Sequence, residues 1–265
     1  MDFETEDKIL QNCWLVVRID GKNFHKFSDV HQFEKPNDTR GLNLMNFAAA
    51  CVMKDFNEII LSYGQSDEYS FVFHRSADLY NRRASKILTN VNSLFTSSYV
   101  FHWSKFFGAE DLKYPPCFDG RIVLYPSVEN LKDYLSWRQA DVHINNLYNT
   151  CFWNLVKKGL TNQAAEERLR GTVSADKNEI LYKEFDINYN NLPAMYRKGT
   201  ILLTKQIKIE GSKKKKVVIP IYDDLIREKF WEDHDELLER KNPKLFEFPD
   251  KELPELVTEL LRLNK

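Results

Sequence analysis

Two short stretches hold residues whose types and placement could do chemistry together. The first is Val16-Val17-Arg18-Ile19-Asp20-Gly21-Lys22-Asn23-Phe24-His25, an apolar run that stops on an acid and a glycine. The second is Gly64-Gln65-Ser66-Asp67-Glu68-Tyr69, where acids sit at a turn before another apolar run. Val16, Val17 and Ile19 suit a buried strand, so Asp20 stands at its exit and Gly21 lets the backbone turn or come close to something. Asp-Gly is also a common turn dipeptide, and on this fragment alone a strand followed by a turn explains it. A second acid nearby changes that reading. Two carboxylates at one place repel unless a cation lies between them, and a hard divalent ion shared with phosphate oxygens is the usual solution.

Whether the acids meet depends on the elements that carry them. Cys13 to Ile19 reads as a first strand. Asn37-Asp38-Thr39 can cap a helix in which Leu42, Met45, Ala49, Val52, Met53 and Phe56 recur at helical spacing. Glu58 to Tyr63 and Glu68 to Phe73 read as two strands joined by a hairpin turn, Leu79 to Phe107 as helical, and Arg121 to Tyr125 as a fourth strand. This order of strand, helix, strand, strand, helix, strand is the split β-α-β, ferredoxin-like pattern of an α+β fold. In it the third strand lies between the first two, antiparallel to the first. The exit of strand one then adjoins the entrance of strand three, about 4.8 Å away. Asp20 and Asp67 converge there. Asp67 and Glu68 would point to opposite faces of an extended chain, so one of them joins Asp20, and Asp67, at the turn, is the choice.

Weaker signals surround this pair. Successive N–H groups from Lys22 to His25 can cradle phosphate, though the Gly-Lys-Ser/Thr ending of a P-loop is absent. Lys35, Arg82, Arg83 and Lys86 can complete an anion site, or else Arg82, Arg83 and Lys86 lie on an ordinary solvated helix face. From Val128 the chain turns mostly helical. Residues 142, 145, 146 and 149 share one face of a window rich in Asn, either as polar core bonds or as a surface that reads nucleic acid. A shorter helix has Thr161 as its cap, and another enters through Ser174. Gln206 to Val218, with Gly211-Ser212 and four lysines, reads as a solvated surface hairpin or loop.

The composition bounds these possibilities. The 265 residues are 43% hydrophobic and 29% charged, with a formal net charge of −1, which suits a large packed core and announces no global nucleic-acid binder. Cys13, Cys51, Cys117 and Cys151 are too scattered for a zinc site. No apolar run approaches the roughly 20 residues that span a bilayer, and the acidic N-terminus lacks the character of a signal or transit peptide. The expectation is a cytoplasmic protein in a reducing compartment, with a nuclear share left open.

The strings VVRIDGKNFHKF, KPND, GQSDEYSFVF, RRASK, YLSWRQADVHINNLYNT, GTVSADKNEIL and INYNN, in this order over residues 2–202, resemble the eukaryotic tRNA-histidine guanylyltransferase family. The family carries a short extra segment before the point where this chain starts, so a trimmed start is expected. The resemblance implies a polymerase-like palm over residues 1–130 and a helical, tRNA-contacting lobe with a charged tail over residues 131–265. It implies a nucleotidyltransferase that adds one GMP to the 5′ end of tRNA-His. ATP adenylylates the 5′ phosphate, the 3′ hydroxyl of GTP attacks it, and pyrophosphate is then removed. Two Mg²⁺ ions would be held by Asp20, Asp67 and the carbonyl of Gly21. ATP or GTP would lie along Asp20, Gly21, Lys22, Asn23, Phe24 and His25 and against Ser66, with Lys35, Arg83 and Lys86 as phosphate contacts. His143, Lys177 and Asn188 would engage tRNA, and the enzyme would be a homotetramer. A template-dependent 3′-to-5′ tRNA repair polymerase is the close alternative. A nucleotide cyclase and a non-catalytic adaptor on the same fold are further ones, disfavoured by the polar helical lobe and by the retained Asp20, Gly21 and Asp67.

Overall fold

The computed structural model describes residues 6–208, 214–239, 241–248 and 254–262. Gly211, Ser212 and Lys213 of the lysine-rich stretch lie outside them. Strand β1 (Trp14–Gly21) is followed by helices α1 (Phe24–Val30) and α2 (Thr39–Asp55), then β2 (Ile59–Gln65) and β3 (Glu68–Phe73). Helices α3 (Ala84–Phe101) and α4 (Trp103–Phe107) lead to β4 (Phe118–Tyr125). The long α5 (Val128–Lys157), α6 (Asn162–Leu169), α7 (Ser174–Phe185) and α8 (Ala194–Lys198) come next. Then come β5 (Thr200–Ile207), β6 (Lys215–Ile221), α9 (Glu228–Asp233), α10 (Glu236–Glu239) and α11 (Glu255–Arg262). Among the described residues the strands form one six-stranded antiparallel sheet in the order β4-β1-β3-β2-β5-β6. Its first four strands have the expected α+β, ferredoxin-like arrangement.

The period-two pattern of β1 divides its side chains between two cores. Leu15, Val17 and Ile19 enter a core with α2, α3 and the aromatic residues Phe47, Phe71 and Phe95. Trp14 and Val16 enter a second core on the opposite face with Leu131, Tyr134 and Leu135 of α5 and Ile201 and Leu203 of β5. A third cluster joins the C-terminal half of α5 to α6 and α7 through Leu147, Leu155, Leu169 and Leu181. The caps read from sequence hold: the Asp38 carboxylate accepts from the N–H of Arg40 at 2.9 Å, and Thr161 Oγ1 from that of Ala164 at 3.2 Å.

Two readings need correction. The stretch around Gln206–Val218 is a hairpin, as one of its two alternatives had it, but its strands are paired in the sheet and not solvated. Its two ends are β5 and β6, and Val217, Val218 and Ile219 are buried. The lysines at the start of β6 masked an apolar strand directly behind them. The helical pattern from Leu79 also breaks. Leu79–Arg82 forms a 3₁₀ turn in which Tyr80, Asn81 and Arg82 have φ of 50°, 54° and 59°. That turn drives Arg82 inward. Its guanidinium donates to the carbonyls of Ala77 at 2.8 Å, Cys13 at 3.4 Å and Leu10. Arg82 is therefore a buried tie to the N-terminal segment and not part of an exposed basic face. The four cysteines are free, and no described helix is long and apolar enough to cross a membrane.

Candidate active site

The antiparallel register brings the two acids to one edge. Asp20 pairs with Glu68 of β3 on one side and Asp119 of β4 on the other. The N–H of Gly21 donates to the carbonyl of Asp67 at 3.0 Å, which locks the end of β1 to the β2–β3 turn. A Cβ at Gly21 would lie 2.9 Å from Cβ of Asp67 and 2.3 Å from the Phe24 ring. Any side chain there would separate the two acids, which explains the glycine. Burial, with the charge of Asp20 beside it, pushes the Asp67 carboxyl up to about 6. Asp20 is also pushed up by burial, against the opposing pull of Arg18. Among the described residues no three His, Cys, Asp or Glu side chains form an ion site by themselves. Two carboxylates and the Gly21 carbonyl are all hard oxygen donors, and that donor set fits Mg²⁺ completed by oxygens from a substrate.

The loop after Asp20 is set by one buried ring. Phe24 packs on Phe27 at 4.6 Å, Phe118 at 5.3 Å and Tyr99 at 6.1 Å. Its burial contributes about 2 kcal/mol and leaves Lys22, Asn23 and His25 exposed. Asn23 takes the left-handed conformation, φ 54°, before α1. The N–H of Lys22 is engaged by the Cys117 carbonyl at 2.8 Å. The next N–H groups, of Asn23, Phe24 and His25, open α1 and have no carbonyl within that helix to bond.

A cavity of about 580 Å³ opens beside this loop, walled by α1, α2 and the C-terminal half of α5. Its lining includes Phe24, His25, Lys35, Ser66 and Asp67. Lys35 Nζ donates to Ser28 Oγ at 2.9 Å, pairs with Asp29 at 2.9 Å and lies 5.6 Å from the Trp153 ring. Its hydrogen bond, and then its charge, hold the Asp29 carboxyl below the usual range. Arg83 and Lys86 do not line this cavity. Arg83 stands at the start of α3, 3.5 Å from Asp7, and Lys86 lies over the Tyr80 ring at 6.0 Å.

Sequence reasoning let only one of Asp67 and Glu68 join Asp20; the fold brings both. Arg18, two residues before Asp20 on the same face of β1, pairs with Asp20 at 2.8 Å and with Glu68 at 2.5 Å. Arg138 of α5 reaches Glu68 at 3.2 Å. The signal for Arg18 was its spacing from Asp20. Nothing local announced Arg138, which arrives from a distant helix.

His143, Lys177 and Asn188 lie apart from this edge, around the third cluster. The exposed His143 ring packs edge-on against Tyr189 at 5.4 Å. Lys177 Nζ donates to the carbonyl and hydroxyl of Thr172, each at 2.8 Å. The Asn188 side chain accepts from the N–H of Asn190 at 3.0 Å. The shared polar face of α5 is only half exposed. Asn146 is buried, accepting from Asn37 at 2.9 Å and donating to Tyr189 Oη at 3.0 Å, while Asn145 and Asn149 face solvent.

The chain is similar to a group of known proteins. The family model described as tRNAHis guanylyltransferase matches residues 1–126, and the one described as Thg1 C terminal domain matches residues 129–241. The chain is 62% identical over 248 residues to a Drosophila melanogaster protein named "Probable tRNA(His) guanylyltransferase", covering 93% of this chain and 86% of that protein. It is 53% identical over 240 residues to the tRNA(His) guanylyltransferase of Schizosaccharomyces pombe, covering 86% and 92%. The crystal structure of the Saccharomyces cerevisiae enzyme superposes with a TM-score of 0.74 at 52% identity, over 76% of this chain and 90% of that one. A bacterial tRNA(His) guanylyltransferase (Thg1)-like protein in complex with ATP shares the fold, with a TM-score of 0.68 at 22% identity over 89% and 92%. With both family models matched in order across the chain and the acids of β1 and of the β2–β3 turn meeting at one edge, the chain belongs to the tRNAHis guanylyltransferase family of nucleotidyltransferases.

Proposed function

We propose that this enzyme adds a single GMP to the 5′ end of tRNA-His in three steps at the Asp20–Asp67 edge. The observation that carries this is the Gly21–Asp67 hydrogen bond, which ties the strand end bearing Asp20 to the turn bearing Asp67 beside a nucleoside-sized cavity that Asp67 lines. First, the 5′ monophosphate of the tRNA attacks the α-phosphorus of ATP; pyrophosphate leaves and a 5′–5′ phosphoanhydride forms. Second, the 3′ hydroxyl of GTP attacks the 5′ phosphorus of the tRNA and AMP leaves. Third, pyrophosphate is removed from the added nucleotide. Relatives described as complexes with ATP and with GTP support the use of both nucleotides.

The residues divide this work. The exposed loop from Lys22 to His25 and the Ser66 turn bind the triphosphate, and the cavity takes the nucleoside. Lys35 exchanges Asp29 for a phosphate oxygen. Arg83 and Lys86 serve a phosphate outside the cavity. Asp20, Asp67 and the Gly21 carbonyl hold two Mg²⁺ ions, which when bound neutralise phosphate charge and lower the pKa of the attacking hydroxyl. His143, Lys177 and Asn188 contact tRNA, and the working form is a homotetramer in the cytoplasm. A templated 3′-to-5′ repair polymerase is the second reading. Incubation with 5′-monophosphorylated tRNA-His, ATP, labelled GTP and Mg²⁺, followed by mapping of the added nucleotide, tests the first reading. One added G on intact tRNA-His is expected. Extension only of 5′-truncated tRNAs supports the second reading instead.

A further inference from the structure

The catalytic edge has two sides. The cavity occupies the side of Asp67, α1 and α2. Asp20 is tied through Arg18 and Glu68 to Arg138 of α5 on the other side, and there stands Trp137 with 60% of its surface exposed. The guanidinium of Arg138 lies 3.6 Å from the centre of the Trp137 ring and covers one of its faces. The exposure therefore belongs to the ring edge and the opposite face. Arg138 is itself only 9% exposed and is held by Glu68 at 3.2 Å and Asp141 at 3.9 Å. Trp137 is thus a flat aromatic surface fixed, through Arg138, Glu68 and Arg18, to the carboxylate of Asp20.

We propose that Trp137 is the stacking platform for the terminal nucleobase of the tRNA acceptor end. This rests on the function proposed above, in which two reactants must reach the same carboxylates. The nucleotide cavity serves one, and the α5 side remains for the other. Base–aromatic stacking suits an unpaired RNA end because every base has a π face, and a guanidinium beneath the ring adds to it. The surrounding charge selects RNA over a free nucleoside triphosphate. Asp133 and Asp141, one helical turn before and after Trp137, flank the ring and would repel a triphosphate placed beside it. The cations of this face lie toward the edge instead. Arg18 and Arg121 stand opposite each other across β1 and β4, where the backbone of a stacked terminal nucleotide would pass.

The test uses the full chain with Trp137→Ala and Trp137→Phe, assayed on 5′-monophosphorylated tRNA-His. The alanine variant lowers kcat/KM for tRNA about tenfold, keeps KM for GTP and ATP within about twofold, and phenylalanine restores most of the loss. Tryptophan fluorescence of the wild type is quenched by tRNA-His more than that of the phenylalanine variant. Equal kcat/KM for tRNA in all three proteins overturns the proposal. A raised KM for GTP or ATP with tRNA use intact also overturns it and assigns the ring to a nucleotide. A wild type that extends no tRNA-His refutes the proposed function, while the quenching measurement still decides the stack.

Discussion

Two clusters of mixed charge sit on this sheet, and they differ in how far they stay open to solvent. At the edge that holds Asp20 and Asp67, Arg18, Asp20 and Glu68 keep side-chain exposures of 20%, 37% and 24%. On β5, Lys205 is 2% exposed and in contact with Glu236, 3% exposed, with His234 Nδ1 accepting from Lys205 Nζ at 2.8 Å and Lys244 3.3 Å from Glu236. Burial pushes Asp20 of the first cluster up, and it pushes Asp67 beside the cluster up to about 6. Burial acts on Glu236 too, yet hydrogen bonds from Lys205 and Lys244 hold it below its ordinary value. A cluster whose negative charge is not fully answered from within, and which stays open to solvent, is built to receive something. A sealed one is built to hold strands and helices together.

The sharpest break between the two is Asp67→Ala. It lowers nucleotide addition on the order of a thousandfold or more, as loss of a main charge-stabilising group does. Stability stays level or rises, because a repelling buried carboxylate has gone. Initial rates and urea midpoints measured together would show this; near-normal turnover at saturating Mg²⁺ is the contrary result. Lys205→Met does the reverse. It costs about 3–5 kcal/mol of unfolding free energy, because Glu236 is left buried without its main partner, while KM for GTP in the folded protein is unchanged.

A smaller effect follows from His234, which burial and then Lys205 hold below the ordinary imidazole range, against the pull of Glu236, Asp223 and Asp233. As pH falls through the ordinary histidine range the unfolded chain takes up a proton that the folded chain resists. Stability therefore falls with falling pH until folded His234 also protonates. Urea midpoints between pH 7.5 and 5.5 should show a slope that His234→Gln reduces. The smallest effect is expected from changing Lys214, Lys215 and Lys216 together to Ser. The pairing of Thr200 with Gly64 puts the start of β5 at the catalytic end, so Lys215, opposite Ile207, is at the far end of an edge strand. The slope of log affinity for tRNA against log salt should then change by less than the roughly 0.7 that one lost phosphate contact produces.

Much of the catalytic edge was legible before any coordinates. Val16, Val17, Ile19 and the EYSFVF run carry their strand signals in adjacent residues, and strand order alone made Asp20 and Asp67 neighbours. The caps at Asp38 and Thr161 were legible for the same reason, since a cap and its partner lie within three residues. Other features were hidden by composition. The lysines before Val217 disguised β6, and the left-handed turn at Tyr80 to Arg82 has no glycine to announce it.

What the sequence by itself determined is the set of elements, their order and the two acids at one strand end, because periodicity and local capping are properties of neighbouring residues. Only the tertiary structure decided that Glu68 joins Asp20 through Arg18, that Arg138 arrives from α5 to fix Trp137 beside them, and that Arg82 turns inward to Leu10 and Cys13. Those outcomes depend on register and helix docking between segments far apart in the chain. One residue of slip in β3 would turn Glu68 to the other face and leave Arg18 and Arg138 without it.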